Sequence, residues 1–164
     1  MIEFITAHTS DIPAIQQLSH EIWHAHYPGI ISRAQIEYML SKMYATETIQ
    51  QEIENGVVYE FIKTDGDTTG YLSFVFEENA TVKLSKLYVL QEYHGKGIGN
   101  TALEHLKERA LQQGAKKIYL FVNKQNTKAI TAYTRFGFTI SESVVNEFGD
   151  GYVMDDYRMN YTLE

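Results

Sequence analysis

Apolar residues in the first third of the chain recur every three or four positions, which is the spacing of one helical face. A helix is predicted after the capping residues Thr9, Ser10 and Asp11, a second after Ser32, and a short third over residues 46–54. Residues 1–7 alternate instead and predict a strand. The apolar positions of the first two helices are Ile12, Ile15, Leu18, Ile22, Ile36, Met39, Leu40 and Met43.

The middle of the chain changes to segments rich in β-branched and aromatic residues. Residues 57–63, 69–76 and 81–90 are separated by the turn signals Asp65-Gly66 and Glu78-Asn79, which predicts an antiparallel meander. A helical face returns over residues 98–113, before the C-capping Gly114, and again over 127–136. Strands are predicted at 118–122, 138–145 and 153–163. The pattern indicates a single domain over residues 1–164, of the α/β (α+β) class, with a mixed sheet and helices on both faces.

Composition narrows the classes of function. The net charge of −7 disfavours binding to nucleic acid or to an anionic membrane. No apolar run is long enough for a transmembrane helix, and the N-terminus shows no secretory pattern. The chain has no cysteine, which excludes a disulfide framework, a thiolate zinc site and a cysteine nucleophile. We therefore expect a cytoplasmic protein without a structural metal.

The most informative segment is residues 87–100, in which a buried strand leads into three alternating glycines and then a helix. Unpaired N–H groups, the helix dipole and the cation of Lys96 all favour an anion at this point. A dinucleotide-binding fingerprint would need glycine at position 100, where Asn100 stands, and the spacing of a P-loop is absent. The remaining alternative is a tight turn that binds no ligand.

Two motifs resemble those of one enzyme family. The segment His94-Gly95-Lys96-Gly97-Ile98-Gly99 resembles the acetyl-CoA-binding motif of the GNAT superfamily of N-acetyltransferases, although His94 replaces the usual arginine or glutamine. A second family motif is matched by Asn126, Ala129, Tyr133, Gly137 and Phe138. The resemblance implies a GNAT-like fold, with a mixed, mostly antiparallel sheet of about seven strands flanked by helices on both faces.

The resemblance also implies where the cosubstrate acetyl-CoA would bind. It would lie in a V-shaped split between the strands at 83–90 and 117–122, with its pantetheine amides paired to the backbone of Leu87, Tyr88 and Val89. Asn126 would bond the pantetheine arm. No metal is implied. The N–H groups that would hold the pyrophosphate belong to His94, Gly95, Lys96, Gly97, Ile98, Gly99 and Asn100.

The implied reaction is direct transfer of the acetyl group to an amine. A backbone N–H near Val89 would stabilise the oxyanion, and Tyr133 would protonate the leaving thiolate. The alternative for Tyr133 is that it is one core tyrosine among twelve. The glutamate that many relatives carry on the fourth strand is absent, and Ser85 stands there instead, so a water relay through Ser85 is one route for the proton. His24 and His26, at the end of the first helix, are other candidates for the base.

The acceptor is less well defined. An aromatic set (Trp23, Tyr27, Tyr38 and Tyr44) and the glycine-rich loop 146–152, followed by Asp155 and Asp156, suit a cationic amine. This layout is loosely similar to bacterial polyamine acetyltransferases. The alternative is that the aromatics are core and the acids are solvated surface. A protein or peptide N-acetyltransferase and a non-catalytic acetyl-CoA sensor remain open, and apolar residues on the final strands would support a homodimer.

Overall fold

One seven-stranded sheet runs through the molecule. The computed structural model describes all residues, 1–164, and places the strands in the order β1-β2-β3-β4-β5-β7-β6. Only β4 and β5 pair in parallel, so the sheet is mixed and mostly antiparallel, as predicted. The strands are β1 (Ile2–Thr6), β2 (Val58–Thr64), β3 (Asp67–Glu77), β4 (Thr81–Val89), β5 (Lys117–Asn123), β6 (Thr139–Gly149) and β7 (Tyr152–Thr162).

Helices cover both faces of the sheet. The face with α4 and α5 holds a core of 17 buried residues, and the face with α1, α2 and α3 holds one of 15. None of these helices combines the length and the apolar character that crossing a membrane would require. The helices are α1 (Ile12–His26), α2 (Arg33–Met43), α3 (Thr46–Glu54), α4 (Ile98–Gln112) and α5 (Thr127–Phe136).

The segment predicted as a glycine-rich loop at residues 146–152 is mostly strand, which corrects that expectation. β6 continues to Gly149, and Gly149 pairs with Tyr152 across a two-residue turn. The turn residues Asp150 and Gly151 both have positive φ angles, 52° and 79°. Asp-Gly is favoured in such tight hairpin turns, because both central residues must adopt left-handed backbone angles. The glycines therefore close a hairpin.

The sheet opens between β4 and β5. These strands pair only from Thr81 to Lys83 on β4 and from Lys117 to Tyr119 on β5, and they separate beyond that point. A β-bulge at Ser85 then shifts the alternation of β4, since Ser73 pairs with Lys86 whereas Phe74 pairs with Leu84. Because a bulge exchanges the faces of later residues, Lys86 and Tyr88 turn towards the α1–α3 side.

Candidate active site

The split between β4 and β5 opens into a cavity of about 1140 Å³. It runs from the glycine turn, past α5, to the side covered by α1, α2 and the β6–β7 hairpin. Every predicted site residue except Lys96 lines it, and the Lys96 ammonium lies 5.4 Å from the ring centroid of Tyr93. The predicted residues that line the cavity are His26, Ser85, Leu87, Tyr88, Val89, His94, Gly95, Gly97, Ile98, Gly99, Asn100, Asn126 and Tyr133.

Six consecutive backbone N–H groups, those of residues 95–100, donate to no group of the chain. Gly95 and Gly97 have φ angles of 78° and 77°, and Gly97 is the N-cap of α4. Positive φ angles at alternate positions allow the backbone to wrap its donors around one point at the positive end of the helix dipole. This arrangement fits a pyrophosphate.

The side chain of His94 fixes the glycine turn to its neighbours. Its Nε2 lies 2.8 Å from the carbonyl oxygen of Val89, and Lys128 Nζ lies 3.1 Å from its Nδ1. Because a carbonyl only accepts, Nε2 carries the proton and Nδ1 accepts from the lysine. The backbone N–H of His94 donates to Gln91 instead of remaining free. His94 therefore joins the end of β4, the turn and α5.

The backbone of β4 presents free groups to the split at alternate residues. The N–H of Leu90 donates to Thr69 on β3 at 2.8 Å. Since backbone groups alternate sides along a strand, Tyr88 also bonds towards β3, whereas Leu87 and Val89 face the split. Two of the three predicted pairing residues therefore direct their N–H groups into the cavity, and Tyr88 contributes its side chain.

Tyr133 lies on the cavity side of α5, where its ring packs edge-on against Phe138 with the centroids 5.7 Å apart. Burial raises the pKa of Tyr133, and the nearby Tyr27 adds to the rise, so the phenol is protonated at neutral pH. Asn126 begins the same helix, because its side-chain oxygen accepts from the N–H of Ala129 at 3.4 Å. The phenol is therefore protonated and fixed in position by its helix, as a proton donor must be.

The far half of the cavity is aromatic, and only part of the predicted aromatic set forms it. Trp23 and Tyr27 line it, with their rings 4.3 Å apart. Tyr44 is buried behind them and shares a 2.7 Å hydrogen bond with Tyr71. Tyr38 donates to the carbonyl of Phe148 and thereby holds the β6–β7 hairpin against α2. Two of the four aromatics are thus structural.

The two histidines considered as bases lie in different places. His24 is outside the cavity lining, and its Nε2 lies 2.7 Å from Glu37. His26 lines the cavity. Burial lowers the pKa of His26, and so do the neighbouring His94 and Lys128, while the side chain of Asn126 partly opposes them. His26 is therefore a neutral imidazole beside Asn126, which is predicted to bind the pantetheine arm of acetyl-CoA.

One buried ion pair at the cavity was not predicted. Lys86 is 6% exposed and donates to the hydroxyl of Tyr59 at 3.0 Å, with the carboxylate of Glu52 at 3.6 Å. Its ammonium also lies 5.6 Å from the ring centroid of Tyr44. Burial lowers the pKa of Lys86, and Glu52 partly opposes this. The sequence showed only that a lysine lies within a predicted buried strand. The bulge that turns Lys86 inward has no recognisable sequence pattern.

A buried carboxylate also faces the cavity. Asp156 on β7 is 6% exposed and accepts a 2.7 Å hydrogen bond from Asn146 Nδ2. It pairs across the sheet with Asn123 at the end of β5. Burial raises the pKa of Asp156, and Asn146 opposes this. The sequence indicated acids in this region without separating Asp156 from its neighbour.

Comparison with known proteins assigns the sequence to a family. The sequence model of the acetyltransferase (GNAT) family matches residues 15–138. The chain belongs to the GNAT acetyltransferase family.

Individual GNAT relatives resemble the chain over almost all of its length. A spermidine N(1)-acetyltransferase of Thermoplasma acidophilum is 26% identical over 152 residues, which are 90% of this chain and 94% of that protein. The PaiA N-acetyltransferase of the same organism, solved with coenzyme A, superposes with a TM-score of 0.83 at 24% identity and 99% coverage of both chains. The ribosomal-protein-S18-alanine N-acetyltransferase of Escherichia coli gives 0.74 at 20% identity, covering 99% of this chain and 94% of that one. These two solved structures establish the likeness of the fold.

The two ends of this GNAT cavity differ in chemistry. The turn end offers unpaired N–H donors and the ammonium of Lys128, which suit an anion. The other end offers aromatic rings with the carboxylates of Glu147 and Asp156, which suit a cation, whereas Glu52 is already paired with Lys86. No group of three or more histidine, aspartate or glutamate side chains is arranged to hold a metal ion. The cavity can therefore hold an anionic and a cationic partner together.

Proposed function

We propose that the chain transfers the acetyl group of acetyl-CoA to a small primary amine within a ternary complex. The observation that carries the proposal is the single cavity, which joins six unpaired N–H groups at one end to aromatic and carboxylate side chains at the other. Tyr133 lies between them, on the wall formed by α5. Both substrates fit at once, so no covalent enzyme intermediate is needed.

The donor half binds acetyl-CoA, which supplies an activated acetyl thioester. The N–H groups of residues 95–100 hold the pyrophosphate, and Lys128 adds a positive charge beside it. Leu87 pairs its backbone N–H with the pantetheine arm, and Asn126 offers its amide to the same arm. Because the N–H of Val89 faces the split and does not bond to β3, it remains to stabilise the developing oxyanion.

The acid of the reaction is Tyr133. Its phenol is protonated at neutral pH and stands in the wall of the cavity, so it donates a proton to sulfur as the carbon–sulfur bond breaks. Ser85 and His26 both line the cavity and are the residues predicted to help remove the amine proton. His26 enters neutral, as a proton acceptor must.

The acceptor class is a small cationic amine, with a polyamine as the finer proposal. Trp23 and Tyr27 form an aromatic wall, and the carboxylates of Glu147 and Asp156 line the same region. The similarity to a spermidine N(1)-acetyltransferase over 90% of the chain supports a polyamine. The chain is expected to act in the cytoplasm and to form a homodimer.

The test is release of CoA from acetyl-CoA, read with a thiol reagent, across polyamines, amino acids, aminoglycosides and peptides. The chain has no cysteine and gives no thiol background. Turnover with a polyamine and a mass increase of one acetyl group on the amine are expected. Turnover with peptides alone would replace this proposal with a protein N-acetyltransferase. Acetyl-CoA binding without any turnover would replace it with a sensor.

A further inference from the structure

We propose that Asp156 is the group that binds the acceptor ammonium and takes its first proton. The inference rests on the proposed function and assigns the base that the sequence left open. It goes beyond Ser85 and His26, which are candidates for the base that the sequence left open.

The position of Asp156 carries the inference. Alternation along β7 turns Met154 and Asp156 to the α1–α3 face of the sheet, and Asp155 to the opposite face. Asp156 stands opposite Asn123, where β5 ends and the chain leads to α5. It therefore lies beyond the point where β4 and β5 separate, on the wall that faces Tyr27 at the end of α1.

The contacts of Asp156 leave it able to bind a ligand. Its Oδ2 accepts from Asn146, while its Oδ1 has no partner within the chain, although only 6% of the residue is exposed. Because Oδ1 has no partner and is not fully buried, it reaches the cavity surface. A carboxylate held by one amide, with one free oxygen in an aromatic pocket, is an ammonium site.

The surroundings favour Asp156 over His26 as the base. Lys128 and His94 stand near His26, and both disfavour a positive charge on it. Asp156 instead attracts the ammonium before it accepts a proton. Burial raises the pKa of Asp156, which makes the carboxylate a stronger base than a solvated one. Tyr27, Tyr133 and Asp156 all line the same cavity, so the base and the acid lie in one region.

The proton transfers of the reaction balance when Asp156 and Tyr133 each accept one proton and release one. The ammonium gives one proton to Asp156, and the neutral amine then attacks the thioester carbonyl. The carbon–nitrogen bond forms and the carbon–sulfur bond breaks. Tyr133 gives its proton to the leaving sulfur and recovers one from the new amide nitrogen. Asp156 releases the first proton to solvent, so the products are the amide, CoA and one proton.

The test compares Asp156→Asn with Asp155→Asn. The amide oxygen introduced by Asp156→Asn can still accept from Asn146, and Asp155 is the adjacent carboxylate, exposed and 2.9 Å from Lys124. Asp156→Asn should lower kcat/KM for the amine that the wild type acetylates by about 10²–10⁴-fold. Its affinity for acetyl-CoA and its Tm should not change, and Asp155→Asn should behave as wild type.

A second acceptor separates a base from a structural role. Methoxyamine is uncharged at neutral pH and needs no deprotonation, so Asp156→Asn should lose far less activity with it. Formate should restore activity to Asp156→Ala and should leave Asp155→Ala unaffected. Equal losses with both acceptors, or a kcat/KM unchanged from wild type, would overturn the role of Asp156. A wild type that acetylates no amine would overturn the proposed function itself.

Discussion

At the scale of single residues, the hydroxyl of Tyr133 can be removed without disturbing the packing around it. Tyr133→Phe keeps the ring against Phe138 and deletes only the proposed proton donor. We expect kcat to fall by about 10²–10⁴-fold while the Kd for acetyl-CoA stays constant. Steady-state kinetics and calorimetry measure the two quantities.

The matched control for that change is Tyr119→Phe. Tyr119 is buried in β5, and its hydroxyl donates to Glu77 at 2.6 Å, away from the cavity lining. Its loss should leave kcat as in the wild type. If both variants lost activity equally, the effect of Tyr133 would be general to buried tyrosines and the acid would have to be sought elsewhere.

Removing Glu52 or Lys86 from their buried ion pair should change the stability of the fold by different amounts. Glu52→Gln leaves the buried Lys86 ammonium at the cavity wall with only Tyr59 and aromatic rings around it, and should lower the free energy of unfolding by about 1–3 kcal/mol. Lys86→Met removes the charge that needed a partner and should be nearly neutral. Urea unfolding of both variants measures the difference. A larger loss in Lys86→Met than in Glu52→Gln would contradict the argument.

At the scale of elements, the glycine turn can be tested against a turn of the same geometry. Gly97 and Gly114 have φ angles of 77° and 75°, and an added Cβ would meet nothing within 4 Å at either. Alanine at either position should therefore cost about 1–2 kcal/mol of strain. Only Gly97→Ala, at the N-terminus of α4, should also weaken acetyl-CoA binding. Equal affinities in the two variants would show that the turn is not the anion site.

The sequence predicted the elements well where one period extends over many residues. The glycine turn and α5 were found because their chemistry is local: glycine at fixed offsets, and Asn126 as a cap. Lys86 was missed because a single bulge at Ser85 decides which face it joins. The sequence left open whether Tyr38 and Tyr44 belong to the acceptor wall or to the core, because their partners, Phe148 and Tyr71, lie far along the chain. The local sequence pattern therefore predicts helices and strands, whereas the pairing of distant segments determines which side chains come into contact.

At the scale of the whole molecule, a cluster of charges links the sheet to α4 at a distance from the cavity lining. Glu60 on β2 is 2% exposed and bonds His105 at 2.8 Å and Arg109 at 2.6 Å. Phe4 stacks on the ring of His105, with the centroids 3.8 Å apart, and so includes β1 in the same contact. The cluster supports the helix whose N-terminus forms the proposed anion site.

This cluster predicts how stability depends on pH. Burial by itself would raise the pKa of Glu60, but His105 and Arg109 outweigh it and hold the pKa below the ordinary value of 4.5. A carboxyl with a lowered pKa in the folded state stabilises the fold fully above its unfolded pKa, and loses that effect as the pH falls through the folded value. Glu60→Gln should therefore cost about 2 kcal/mol at neutral pH, and the cost should shrink under acid conditions. Urea unfolding from pH 7 to pH 3 measures it, with Glu108→Gln on the exposed face of α4 as the control. A cost for Glu60→Gln that stays constant across this range would show that the carboxylate is not what the cluster stabilises.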